Sequence, residues 1–323
     1  MLRQILLALS GVVAISAAPV APPPVRIAPG LFLIEGGIEK GRQPDGNSVV
    51  MAAPQGLIVV DTGRHAAHRG RIAAFADARN RPVAAIVNTH WHLDHSSGNA
   101  ALKRANPGAK VYASRAIEGA LTGFLASSAK AGREALASGK LDPVTAEEIR
   151  VDLATIESPA ALKPDVAIER SGPMMIAGRR LEVRLAKHAV TEGDVWIFDP
   201  RSRTAIVGDL VTLPAPFLDT ACPGGWRRAL AEVEAMPFGR LIPGHGGPMT
   251  RAQFAVWRAA FGALLDCAAS PAPAAQCADG WTKAVTPLLG GDERKRQQAT
   301  SMTARYVAQQ LRAPGGKQKY CPA

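Results

Sequence analysis

Apolar residues follow two different spacings along this chain, and the changes between them mark its plan. Three short β-rich runs come first: "LFLIEGG" (31–37), "NSVVMAAP" (47–54) and "GLIVVDTG" (56–63). Glycine and proline punctuate them at close intervals, which predicts an antiparallel meander. The turn-rich "IEKGRQPDG" between the first two reads as a mobile hairpin. "RHAAHRGRIAAFADARN" (64–80) then changes to helical spacing, and "PVAAIVNT" (82–89) is an apolar run of strand length. A helix-like "NAALKRAN" and a strand "AKVYAS" (109–114) follow. Residues 115–157 read as largely helical, with a helix start in "DPVTAEEI" (142–149).

The same order then recurs. Strands are predicted at "RRLEVRLA" (179–186), "DVWIFDP" (194–200) and "TAIVGDLV" (204–211), followed by a helix from about Trp226 and "GRLIPGHGG" (239–247). The two halves share this plan without visible sequence identity. "TRAQFAVWRAAFGALLDC" (250–267) is an amphipathic helix, and the Pro/Ala-rich tail beyond it holds one more helix-like stretch near 296–312. The class is α/β.

Composition adds a compartment. With 323 residues, 47% hydrophobic and 20% charged, the chain can build a sizeable core. Arg3 precedes "ILLALSGVVAISA" and the small residues Ser16, Ala17 and Ala18. That run is short for a bilayer and has no stop-transfer pattern, so residues 1–20 read as a removed secretory signal rather than an anchor. No stable membrane insertion is expected afterwards, and "APVAPPPV" (18–25) reads as an extended linker. Cys222, Cys267, Cys277 and Cys321 are even in number, late in the chain and without the CxxC spacing of structural zinc. Export makes two disulfides the preferred reading over four buried thiols. Of the three pairings, Cys267–Cys277 with Cys222–Cys321 is preferred, the first closing across "AASPAPAAQ".

The formal charge of +11 suggests an anionic partner until its distribution is read. The arginines are scattered, with short clusters at 178–180 and 292–296 and no aromatic-interleaved patch. This is a solvated basic surface, and no nucleic-acid partner is expected.

The chemistry sits in "NTHWHLDHSSGN" (88–99), where an apolar run ends in three histidines and an aspartate. Imidazole and carboxylate are zinc ligands. His90 and His92 alternate and share one side of an extended loop; Asp94 and His95 are adjacent and suit a second, displaced ion. His188 follows a strand in "AKHAVTEGD", Asp209 ends one in "IVGDL" and His245 ends one in "IPGHG". Five of the seven histidines thus stand at strand ends, where α/β sheets place their chemistry. His65 and His68 read as an exposed helix face. Thr191 and Asp194 form either support for His188 or a tight turn. Trp226 reads as a helix-start core aromatic rather than a pocket wall.

The order H-x-H-x-D-H, H, G-D, G-H, with the earlier "VVDTG" (59–63), resembles the metallo-β-lactamase-fold hydrolases over roughly residues 25–262. The resemblance implies an αββα sandwich with the site at one edge of the two sheets, and leaves residues 263–323 as a small cysteine-containing helical extension. It implies two Zn²⁺ per chain: one on His90, His92 and His188, the other on Asp94, His95 and His245, with Asp209 bridging. Asp61 matches a position that supports the site without binding metal. It further implies a metal-bridged hydroxide, oriented by Asp94, attacking an electrophilic centre, and no "GxSxG" elbow competes with this. An aspartate at 209 argues against a dedicated β-lactamase. With export, the expected activity is hydrolysis of a small ester, lactone, thioester or lactam in the periplasm or outside the cell. Two alternatives stand beside it: an iron-dependent oxidoreductase of the same fold, and a non-catalytic periplasmic binding module, which should have lost ligands.

Overall fold

The computed structural model describes residues 22–39, 41–313 and 320–322, so the expected signal segment lies outside the described residues. Strands β1 (Val25–Ala28), β2 (Leu31–Ile34), β3 (Ser48–Ala53) and β4 (Gly56–Val60) form the predicted antiparallel meander. Helix α1 (Ala66–Asp77) crosses to β5 (Val83–Val87), which lies parallel to β4. Short helices α2 (Leu93–Ser96) and α3 (Asn99–Ala105) lead to β6 (Lys110–Ala113). Helices α4 (Ala116–Thr122), α5 (Phe124–Ala137) and α6 (Pro143–Ile156) precede β7 (Val166–Ala167), the last of seven strands ordered as in the sequence.

A second, six-stranded sheet starts with the antiparallel β8 (Gly172–Ile176), β9 (Arg179–Lys187), β10 (Gly193–Asp199) and β11 (Thr204–Ile206). Helix α7 (Pro223–Ala235) crosses to β12 (Arg240–Ile242), parallel to β11, and β13 (Met249–Thr250) closes the edge. Helices α8 (Arg251–Ala269), α9 (Ala274–Val285) and α10 (Glu293–Tyr306) complete the chain.

Strand alternation decides which residues face which layer. Val49, Met51, Ile58 and Val60 of the first sheet meet Leu181, Val183, Val195 and Ile197 of the second. Their neighbours Val50, Leu57 and Val59 point the other way, onto Ile72 and Phe75 of α1. Trp196 and Phe198 turn outward onto Trp226, Trp257 and Trp281 of α7, α8 and α9. The result is an αββα sandwich. Helix starts follow their capping chemistry: Asp142 accepts from the Val144 and Thr145 amides ahead of α6, and Thr250 with Gln253 closes a capping box on α8.

The structure departs from the sequence reading in several elements. Val25, read as the last residue of the linker, instead opens strand β1. The tail holds a whole extra helix, α9, because Cys277, Trp281 and Val285 recur every four residues and are buried. The end of the segment read as a mobile hairpin is fastened, since Asp45 accepts from the Arg64 and His65 amides. Both disulfides form in the preferred pairing, Cys222–Cys321 and Cys267–Cys277. Among the described residues no helix is long and apolar enough to cross a membrane.

Candidate metal centre

Two parallel strand pairs, β4/β5 in one sheet and β11/β12 in the other, end at the same edge of the sandwich. Residues just past those four ends therefore converge: Asp61 after β4, His90 to His95 after β5, Asp209 after β11 and His245 after β12. Three of the ends leave regular strand abruptly. Asp61 takes a left-handed backbone (φ 59°), Gly208–Leu210 makes a 3-10 turn, and "PGHG" bends so tightly that a Cβ on Gly244 would lie 2.0 Å from Asp209 Oδ1.

Two groups of donors result. The donor atoms of His90, His92 and Asp209 lie within 4.8 Å of one another, and so do those of Asp94, His95 and His245. Asp209 faces both: its Oδ2 is 3.7 Å from His90 Nε2, while its Oδ1 is 3.1 Å from His95 Nε2 and 3.6 Å from His245 Nε2. Asp94 Oδ2 lies 3.0 Å from His245 Nε2. Asp61 stands behind the groups, accepting from the Thr89 amide and hydroxyl (2.8 and 2.7 Å) and pairing with His95 Nδ1 at 2.8 Å. That contact commits Nδ1 of His95 and leaves Nε2 toward the cluster.

The residues fit divalent cations. His90 Nε2 and Asp209 Oδ2 are buried without a hydrogen-bond partner, an expensive state for polar atoms unless something coordinates them. Asp61, Asp94 and Asp209 are all buried, and among the described residues none of them pairs with a lysine or arginine. Burial opposes a charge on His95, yet Asp209, Asp94 and Asp61 outweigh it and raise its pKa well above the ordinary value. Buried carboxylates in such numbers call for positive charge in the interior.

His188 is the correction. It stands just beyond β9 with a left-handed backbone (φ 52°), and the interior side of its turn is filled by fully buried Ala189 and Val190. His188 lines a separate cavity of about 440 Å³ with Arg228 and Glu232 and belongs to neither donor group, and its Nδ1 is buried without a hydrogen-bond partner. Thr191 and Asp194 resolve as the tight turn, with the Thr191 amide and hydroxyl donating to Asp194. His188→Asn, which keeps a residue tolerant of positive φ, is expected to retain two zinc ions and turnover within about twofold of wild type. Loss of an ion on metal quantification would restore His188 as a ligand.

His65 and His68 are not an exposed face either. His65 is half-buried, with Nδ1 2.8 Å from Asp45 and Nε2 2.8 Å from Glu148 of α6. The Asp45 hydrogen bond leads in raising its pKa. His68 is buried against the Ser48 hydroxyl, and burial pushes its pKa down to about 4. Trp226 is a core residue, donating to the Leu210 carbonyl.

The sequence places a helical stretch at 115–157 without showing which of its residues wall the site. A cavity of about 760 Å³ opens beside His92 and Asp94. Its apolar lining comes from Trp91, from Phe124 and Leu125 of α5, from Leu153 of α6 and from Met302 of α10. The charges around it are mostly matched, Arg64 by Asp152 and Arg42 by Glu148.

Comparison with known proteins agrees with this architecture. The chain is similar over 93% of its length to 52% of the stereoselective inverting sec-alkylsulfatase from Pseudomonas sp., at 20% identity and a TM-score of 0.61. It is similar over 88% of its length to 94% of a metallo-beta-lactamase family protein from Thermus thermophilus, at 17% identity and a TM-score of 0.59. A metallo-beta-lactamase from Pontibacter korlensis aligns over 72% of this chain and 94% of its own, at 20% identity and a TM-score of 0.52. In sequence, the linear primary-alkylsulfatase of Pseudomonas sp. is 42% identical over 50 residues, which span 15% of this chain and only a tenth of that protein. The profile of the metallo-beta-lactamase superfamily matches residues 41–245, more than half of the chain, and the chain belongs to that superfamily.

Proposed function

We propose that this protein is an exported dinuclear zinc hydrolase whose substrate carries an apolar group next to a small ester, lactone, thioester or lactam. The observation behind this reading is the meeting of two donor groups, mostly buried, with a cavity at His92 and Asp94 that has an apolar wall from Trp91, Phe124, Leu125 and Leu153. In it, His90, His92 and Asp209 hold one ion, and Asp94, His95 and His245 hold the other. Asp209, whose two oxygens face the two groups, would contribute to both sites. Two such ions supply Lewis acidity and a water acidified toward neutral pH. The chain's own residues do the rest. Asp94, at the cavity edge, orients the attacking water by accepting its hydrogen bond. Asp61 fixes His95. Phe217, with its ring 4.9 Å from that of His245, keeps bulk water off that ligand. Four imidazoles against two carboxylates favour zinc over iron, and with His188 outside both groups each ion still keeps three donors, which supports an enzyme over a mere binding module. The two disulfides support an oxidising compartment.

A second reading, an alkyl sulfate ester, is favoured by the same cavity and by the long alignment with the Pseudomonas sec-alkylsulfatase. One panel tests both: ester, lactone, thioester, lactam and alkyl sulfate substrates, each with short and long apolar groups, on zinc-loaded protein. We expect about two zinc ions per chain. Turnover should vanish with chelator and return with zinc, and kcat/KM should rise about fourfold for each methylene that reaches the cavity. Turnover indifferent to chelator, or oxygen uptake by an iron-loaded form that exceeds any hydrolysis, would overturn the reading.

A further inference from the structure

If His92 holds an ion, one of its nitrogens must present a lone pair, and the structure specifies which. Thr220 Oγ lies 2.8 Å from His92 Nε2 and 2.8 Å from the Val190 carbonyl. A carbonyl only accepts, so the single hydroxyl proton goes to Val190. The hydroxyl then accepts from His92, which puts the imidazole proton on Nε2 and leaves the lone pair on Nδ1. Thr89 treats His90 in the opposite sense. Its hydroxyl donates to Asp61 at 2.7 Å and accepts from His90 Nδ1 at 3.0 Å, leaving Nε2 as the donor atom.

We propose that Thr220 is a positioning residue for the metal centre and that the C-terminal helices are built to hold it in place. This rests on the metal reading above. Thr220 is fully buried in the loop between the Asp209 turn and α7. Three aromatic donors from three successive helices converge on that loop. Trp257 Nε1 of α8 donates to the Thr212 carbonyl at 2.8 Å, Trp281 Nε1 of α9 to the Pro214 carbonyl at 2.9 Å, and Tyr306 Oη of α10 to Asp219 at 2.7 Å. Cys222, two residues past Thr220, donates its amide to Ala189 and is cross-linked to Cys321. Both residues flanking the turn, Asp219 before Thr220 and Cys222 after it, are therefore tied to the extension. Buried aromatics need partners anyway. Their convergence on one loop, three of them from consecutive helices, gives that need a second use: a fixed hydroxyl behind His92.

The test compares Thr220→Val, which removes the hydroxyl at nearly constant volume, with Thr220→Ser, which keeps it, and with Tyr306→Phe. Zinc affinity is read by equilibrium competition with a chelator on folded protein. Thr220→Val should weaken one of the two ions by about 10- to 100-fold, Thr220→Ser should recover most of that, and Tyr306→Phe should fall between wild type and Thr220→Val. Nitrogen-15 NMR of histidine-labelled, zinc-loaded wild-type protein provides a readout that needs no variant to fold: His92 should carry its proton on Nε2. Wild-type affinity in Thr220→Val, equal losses in the Val and Ser variants, or a protonated Nδ1 on His92 would each overturn the proposal. Failure of the wild type to bind zinc at all would instead overturn the metal reading beneath it.

Discussion

Asp209→Ala is expected to take the zinc content from two ions to one or fewer and to lower kcat by roughly three orders of magnitude, about 4 kcal/mol of lost transition-state stabilisation. The size of the effect comes from the position of its two oxygens. Oδ2 faces His90, and Oδ1 faces His95 and His245, so one substitution removes a member of the first group and a carboxylate oxygen beside the second. His90 and His92 are then left as a two-ligand site, which holds zinc poorly. The sign of the stability change depends on metal. In metal-free protein, Asp209 is a buried carboxylate without lysine or arginine, held ionised against burial by His95, His245 and His90. Its removal should change the metal-free Tm little. Zinc should stabilise the wild type by about 4 kcal/mol at a thousand times its Kd and Asp209→Ala much less. Zinc titration followed by thermal melts checks this. An Asp209→Ala protein that keeps two ions and its zinc-induced rise in Tm would remove Asp209 from the bridge.

Most of that candidate site was legible because its proposed ligands follow strand ends, and strand ends are written in local apolar runs. "PVAAIVNT" stops where polar side chains begin, and β5 ends at Val87 with His90 three residues on. The same logic found Asp209 and His245. It failed at His188, which also follows a strand, because strand ends fix a location along the sheet and not the side of a turn. There the next two residues, Ala189 and Val190, are fully buried, while His188 belongs to neither donor group. His68 misled for a related reason. Its spacing from His65 put both on one helix face, but nothing local revealed that Ser48 of β3 would sit opposite its ring. Thr220 had no local signal whatever. Its role depends on Val190, 30 residues away, and on His92, 128 away, so only the folded chain brings the three together. The cavity wall was half legible: residues 115–157 read as helical, but which face of α5 and α6 turned to the site depended on the tertiary packing.

Breaking Cys222–Cys321 with paired serine substitutions is expected to cost more than breaking Cys267–Cys277, and to reach the metal centre as well. The two bonds close loops of very different length, with sequence separations of 99 and 10. If cross-links act by restricting the unfolded chain, the long loop contributes about 4.7 kcal/mol and the short one about 2.7 kcal/mol at 25 °C. For a chain of this size, each kcal/mol moves Tm by roughly 2 °C, so falls of about 9 °C and about 5 °C are expected. The short bond joins α8 to α9 within one helical layer, where Trp257 and Trp281 already pack edge to face, with ring centres 5.7 Å apart. The long one anchors the loop that carries Thr220, so its loss should also speed zinc release to a chelator, while the Cys267/Cys277 variant releases zinc at the wild-type rate. Protein kept reduced lacks both bonds and should show both falls in Tm together with the faster zinc release, relative to protein made in an oxidising compartment. A Cys222/Cys321 variant with the smaller fall in Tm, or with unchanged zinc release, would confine that bond to the unfolded chain and detach the extension from the metal centre.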